Sequence, residues 1–120
     1  MPNNCFRLNK ALYGLKQSPR AWYEDINKIL RTQGYKCMQN ENCLSVKHSP
    51  ASITIIALCV DDLIIAVKSA EVTQTKDFLK SRYTMKDLGF VNHILGCEVF
   101  QDPSSKTLYL TQRRYILSTV

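Results

Sequence analysis

Asp61 and Asp62 stand side by side between two dense apolar runs, residues 53–60 and 63–67. Adjacent carboxylates in such surroundings repel each other and lose hydration as the neighbourhood dries. A cation relieves both penalties. Successive strand residues point to opposite faces, but at a tight hairpin tip both carboxylates can converge on one divalent ion, and Mg²⁺ favours one or two carboxylates together with substrate phosphates. The competing reading is a polar turn facing water, and the residues by themselves leave both open. Elsewhere the sequence offers less chemistry. His48 falls in a turn and His93 beside a strand, with no carboxylate and cysteine set around either. Cys5, Cys37, Cys43, Cys59 and Cys97 are odd in number and scattered, with no Cys-x-x-Cys pair, so neither a disulfide framework nor a zinc cluster is expected. Neither a Ser-His-Asp order nor a phosphate-cradling glycine loop is present.

The elements that must position the two aspartates follow from periodicity. The flanking runs are rich in β-branched residues and predict a buried hairpin with the acids at its tip. Upstream, residues 5–8 alternate loosely and lead to Tyr13-Gly14, which predicts a short strand entering a turn. Ser18 suits a helix N-cap and Pro19 the first helical position, while Trp22, Ile26, Ile29 and Leu30 form one apolar stripe and Gly34 is the natural stop. Residues 43–46 are a candidate strand and 48–52 a turn. Ser69 can cap a second helix over about 70–83, with Val72, Thr75, Phe78, Leu79 and Tyr83 at helical spacing. Asp87-Leu88-Gly89 closes that unit. Residues 94–100 read as a strand, 102–105 as a hairpin turn, 108–110 as the partner strand, and a helix starts at Thr111. The fold class expected is α+β, an antiparallel or mixed sheet backed by helices on one face.

At 120 residues the chain fits one small domain and is too short for a two-domain enzyme. Hydrophobic residues at 45% and charged residues at 22% match a folded domain rather than a disordered one. The net charge is +6, and residues 1–36 hold seven bases against two acids, so the positive field is concentrated there. That asymmetry suits an anionic partner, nucleic acid above all, or a merely solvated basic face. No charged-then-apolar leader follows Met1, and no apolar run approaches the ~20 residues of a membrane helix, so an intracellular protein without a membrane partner is expected.

Cys59-Val60-Asp61-Asp62 with its apolar flanks is preceded by Lys10-Ala11-Leu12-Tyr13-Gly14-Leu15-Lys16-Gln17-Ser18-Pro19-Arg20-Ala21-Trp22-Tyr23. Together they resemble the reverse transcriptase of copia-type LTR retrotransposons, whose boxes read Tyr-Val-Asp-Asp and Lys-Ala-Leu-Tyr-Gly-Leu-Lys-Gln-Ala-Pro-Arg-x-Trp-Tyr. Met85-Lys86-Asp87-Leu88-Gly89, Leu95-Gly96-Cys97-Glu98-Val99 and Leu110-Thr111-Gln112-Arg113-Arg114-Tyr115-Ile116 continue the match in order, so the resemblance spans essentially the whole chain. The long box is highly specific; Val-Asp-Asp alone is weak.

The resemblance implies the palm of an RNA-directed DNA polymerase within a Pol polyprotein that also carries integrase and RNase H. Its partners would be an RNA or DNA template-primer and deoxynucleoside triphosphates (dNTPs), its cofactor Mg²⁺ with Mn²⁺ as substitute, and its setting the cytoplasmic virus-like particle or nucleus of the parent element. Asp61 and Asp62 match the catalytic, metal-binding pair. A third metal-binding aspartate on an earlier strand, and the fingers, would precede Met1, and the thumb would begin near residue 111. The chain is therefore expected to be a single partial palm domain over 1–120, inactive in isolation.

Tyr13 and Gly14 match the turn against the incoming nucleotide, the alternative being a packed strand-to-helix turn. Lys16 and Arg20 would face phosphates of the nucleic acid or remain solvated. Lys86 would assist the pyrophosphate or be an ordinary surface lysine. Gly96 would sit in the hairpin that grips the primer end or form a bulge. Cys59 departs from the family's tyrosine in the template-primer groove, and would alternatively be a core residue. The rival functional readings are a non-catalytic nucleic-acid-binding remnant or host-adopted module, and a structural fragment that binds nothing.

Overall fold

The computed structural model describes residues 4–120, Ser69 by its backbone alone. The opening residues read for a leader therefore lie partly outside the described residues, as does the expected capping role of the Ser69 side chain. Two compact units divide the chain, Met1–Arg82 and Tyr83–Val120.

In the first unit, helix α1 (Ser18–Thr32) precedes strands β1 (Lys36–Cys37), β2 (Leu44–His48), β3 (Ile53–Cys59) and β4 (Asp62–Ala66), and helix α2 (Ser69–Arg82) follows. The strands form one antiparallel sheet in the order β1-β2-β3-β4. Both helices pack on the same face. Asn27 of α1 accepts a hydrogen bond from Ser45 of β2 (3.4 Å), Glu71 of α2 accepts one from Thr54 of β3 (3.3 Å), and Tyr35 meets Thr75 of α2 at 3.4 Å. Ile26, Leu30, Tyr35, Ile56 and Leu79 form the core between the layers. The opposite face of the sheet is open: Ile53 and Ile55 keep 52% and 38% of their surface exposed, whereas Ile56 keeps 1%. The expected hairpin is thus real but not buried on both sides. Its predominantly apolar strands hide an inside and an outside that only the register separates.

Several local expectations shift. Residues 5–8 form no strand, and Phe6 and Cys5 are exposed. Ser18 is the first helical residue rather than the cap: Gln17 is the N-cap and makes no side-chain capping bond, while the Ser18 hydroxyl donates back to the Leu12 carbonyl. The C-terminal stop is as expected. Gly34 adopts φ +84°, and the N–H groups of Gly34 and Tyr35 reach the carbonyls of Arg31 (3.0 Å) and Leu30 (3.1 Å), the paired bonds of a Schellman motif.

The second unit holds β5 (His93–Ile94), β6 (Cys97–Asp102), β7 (Thr107–Thr111) and helix α3 (Arg113–Ser118), with an antiparallel sheet in the order β5-β6-β7. The single strand expected over 94–100 is instead a hairpin. Leu95 and Gly96, both at positive φ (+49° and +76°), form its two-residue loop between paired Ile94 and Cys97, the sign pattern of a type I′ turn. The 102–105 turn is built around the Asp102 carboxylate, which accepts the Ser104 N–H (3.0 Å) and the hydroxyls of Ser104 (2.5 Å) and Ser105 (2.6 Å); these bonds hold its pKa down to about 2. All described strand pairs are antiparallel, so the architecture is α+β with antiparallel rather than mixed sheets.

Candidate functional site

The β3–β4 connection is as short as a hairpin allows. Cys59 pairs with Asp62, leaving only Val60 and Asp61 in the loop. Val60 adopts φ +58° while Asp61 does not join it at positive φ, the sign pattern of a type II′ turn, whose first central position glycine usually fills. A β-branched residue there is a backbone outlier, of the kind that persists only where its surroundings hold it. Asp62 is the first residue of β4. The register then sets the geometry: Cys59 and Asp62, Ala57 and Ile64, and Ile55 and Ala66 pair on the open face, while Leu58 and Leu63, and Ile56 and Ile65, pair on the helix-facing side. Both aspartates are exposed, and Cys59 is half-buried beside Asp62 on the open face, not in the core between sheet and helices.

The long box approaches this tip through α1. Leu12–Leu15 is a turn closed by the Leu15 N–H on the Leu12 carbonyl (3.3 Å), with Gly14 at φ +89° where a side chain would be strained. Ser18 anchors that turn to the start of α1. One helical turn later, the Trp22 indole N–H donates to the Val60 carbonyl at 2.9 Å. The Tyr13-Gly14 turn and the Asp61-Asp62 tip are thereby linked to the same end of one helix. Tyr13 is 91% exposed, which removes the packed-turn alternative for its ring in this chain. Lys16 is exposed; Arg20 is exposed but paired with Glu24 at 2.8 Å, which raises its pKa. Lys86 and Gly96 belong to the second unit, Lys86 exposed before β5 and Gly96 in the β5–β6 hairpin loop. Trp22 is the residue whose part at the tip sequence reasoning missed. Its spacing places it in the apolar stripe, and only its donor N–H points to a polar partner.

The tip offers two carboxylates. Two hard oxygen donors at an exposed corner suit Mg²⁺, which keeps several waters and shares its shell with phosphates. Among the described residues no group of three or more His, Cys, Asp or Glu side chains is gathered closely enough to hold a metal. No helix among them is long and apolar enough to cross a membrane.

The family model described as reverse transcriptase (RNA-dependent DNA polymerase) matches residues 1–120. The retrovirus-related Pol polyprotein from transposon TNT 1-94 of Nicotiana tabacum is 37% identical over 92% of this chain, and that from transposon RE1 of Arabidopsis thaliana 38% identical over 97%. The chain spans only 8% of each of those polyproteins. A transposon Ty5-1 protein of Saccharomyces cerevisiae is 34% identical over 96% of the chain, which covers 37% of it. No solved structure matches. The chain belongs to the reverse transcriptase family, in the branch of the copia-type retrotransposon Pol polyproteins.

Proposed function

We propose that this chain is a palm-like segment of a retrotransposon reverse transcriptase and that, within the intact polymerase, it contributes to template-directed DNA synthesis from dNTPs on an RNA or DNA template-primer. The observation that carries this reading is the tip itself: two adjacent exposed carboxylates, Asp61 in a two-residue hairpin loop and Asp62 opening β4, at the edge of an open sheet face, in a chain of this family. Asp61 and Asp62 are the residues that would hold Mg²⁺ or Mn²⁺, whose chemistry when bound is to activate the primer 3′-hydroxyl and stabilise the leaving pyrophosphate in an in-line displacement. The open face receives the template-primer, with Cys59 beside the primer end. Gly14, lacking a Cβ, lets the incoming nucleotide approach the backbone closely, and the Tyr13 ring packs near its sugar. Lys16 and Arg20 neutralise phosphates, Lys86 steadies the pyrophosphate, and Gly96 lies where a hairpin grips the primer.

Two carboxylates cannot clamp both the attacking and the leaving oxygen, so further ligands come from the rest of the polyprotein and the isolated chain is inactive. Primer extension on a poly-A template with Mg²⁺ or Mn²⁺ tests this. The 120-residue chain should give no product above background, whereas a chimera with these residues in place of the matching segment of the RE1 Pol polyprotein should extend the primer. Robust product from the isolated chain would overturn the incomplete-site reading. A folded but inactive chimera that still binds nucleic acid would favour a non-catalytic binding remnant, a reading to which the exposed bases of the amino-terminal third lend support.

A further inference from the structure

Val60 holds a left-handed backbone conformation at φ +58° with a β-branched side chain, and a hairpin loop of only two residues offers little of its own to enforce it. The Trp22 indole supplies what the loop lacks. Its N–H donates 2.9 Å to the Val60 carbonyl, across 38 residues of sequence, from a helix fixed by Ile26 and Leu30 in the core. Val60 immediately precedes the aspartate pair, so the direction of its peptide unit decides where both carboxylates lie. We propose that Trp22 is a positioning residue of the polymerase site, locking the Val60 turn so that Asp61 and Asp62 are presented together. The value of this bond to metal binding rests on the reading of the aspartates as metal ligands; its effect on the backbone of the tip does not.

The arrangement has a thermodynamic signature. A single net hydrogen bond of about 1 kcal/mol changes an equilibrium by about fivefold, so losing the N–H while keeping an aromatic ring should release the tip without unfolding the unit. A glycine at position 60 removes the Cβ penalty of the left-handed conformation. The tip should then depend less on Trp22, and the two substitutions should be non-additive.

The test uses the whole 120-residue chain, in which Trp22 is the sole tryptophan and gives one indole signal. Exchange of that indole proton is compared with free tryptophan, and backbone order parameters are measured for the parent, Trp22→Phe, Val60→Gly and the double variant. Mn²⁺ is titrated against the signals of Asp61 and Asp62. The expected results are indole exchange slowed about fivefold, and order parameters at Val60 and Asp61 falling below about 0.6 in Trp22→Phe while Ile26 and Ile56 are unchanged. Mn²⁺ binding should weaken about fivefold in Trp22→Phe and by less in the Val60→Gly background. An indole proton exchanging at the free rate overturns the proposal even if Trp22→Phe does not fold. So does a Trp22→Phe chain whose tip order is unchanged, or whose loss of order is spread evenly over the unit. A parent chain that binds no Mn²⁺ while Trp22→Phe loosens the tip would count against the metal reading and leave the positioning role standing.

Discussion

Replacing Cys59 by the tyrosine that the related box carries separates shape from stability at the tip. The substitution adds a phenol to a half-buried position on the open face, cross-strand from Asp62 and in line with Ile55 and Ile53, which stay 38% and 52% exposed. No atom packed between sheet and helices has to move. The 1–3 kcal/mol cost of overpacking a core therefore does not arise. The stability change should stay within about 0.5 kcal/mol, as for surface positions, and at roughly 4–8 °C per kcal/mol for a unit of this size the melting temperature should shift by less than about 4 °C. Ile56→Ala, three residues away but on the helix side, is the control: it should cost roughly 2–5 kcal/mol. In the polymerase chimera the added ring can pack against the primer end, and if it restores positioning by an ångström the gain in single-nucleotide incorporation could reach about a hundredfold. The assays are thermal denaturation of the isolated chain and single-turnover incorporation by the chimera. A Cys59→Tyr chain destabilised as much as Ile56→Ala would refute the placement of Cys59, and a stable variant that is no faster would refute its role in the primer groove.

Gly34→Ala should destabilise the first unit by about 1–2 kcal/mol through conformation alone, because φ +84° penalises a Cβ that would meet nothing within 4 Å; denaturant midpoints check this. Asp102 has its pKa lowered to about 2 in the folded turn, so its contribution is fully present above its ordinary value near 3.8 and is lost as pH falls through about 2; amide protection at Ser104 and Ser105, followed by NMR, should collapse in that window and be weak at every pH in Asp102→Ala. Nucleic-acid binding by the chain should be nonspecific, with a log–log salt slope near −2 for roughly three neutralised phosphates on single strands, and Glu24→Ala should tighten it by releasing Arg20 from its ion pair; a flat salt titration would contradict this.

The aspartate tip, both helices of the first unit and the Gly34 stop were legible because each is a local matter: helical spacing, a left-handed glycine, carboxylates where apolar residues surround them. What was not legible depends on partners. Residues 5–8 alternate like a strand, yet no described strand pairs with them, and a ladder needs two sides. The run over 53–60 is apolar at every step but Thr54, and that one polar residue lies on the buried face, so nothing in the pattern marks Ile56 as buried and Ile55 as open; register with β2 and the side chosen by α1 and α2 decide that. Both acids are expected at the hairpin tip, and Asp62 proves to be the first residue of β4, because the loop closes in two residues. Leu95-Gly96 was hidden in the same way: a type I′ loop accepts leucine at a positive φ when the strand pairing around it compensates. Trp22 is the instructive case at the site, since an apolar stripe and a directed hydrogen bond coexist in one side chain and periodicity reports only the first.

Single-nucleotide incorporation by the RE1 chimera carrying Asp61→Asn and Asp62→Asn decides whether these aspartates are the metal-holding pair of a polymerase. Amide for carboxylate keeps shape and removes charge, so circular dichroism and melting of the isolated chain should be unchanged. Loss of several kcal/mol of charge stabilisation should lower the incorporation rate by at least about a hundredfold. A well-folded double variant that incorporates nucleotides at the parental rate would mean that Asp61 and Asp62 hold no catalytic metal.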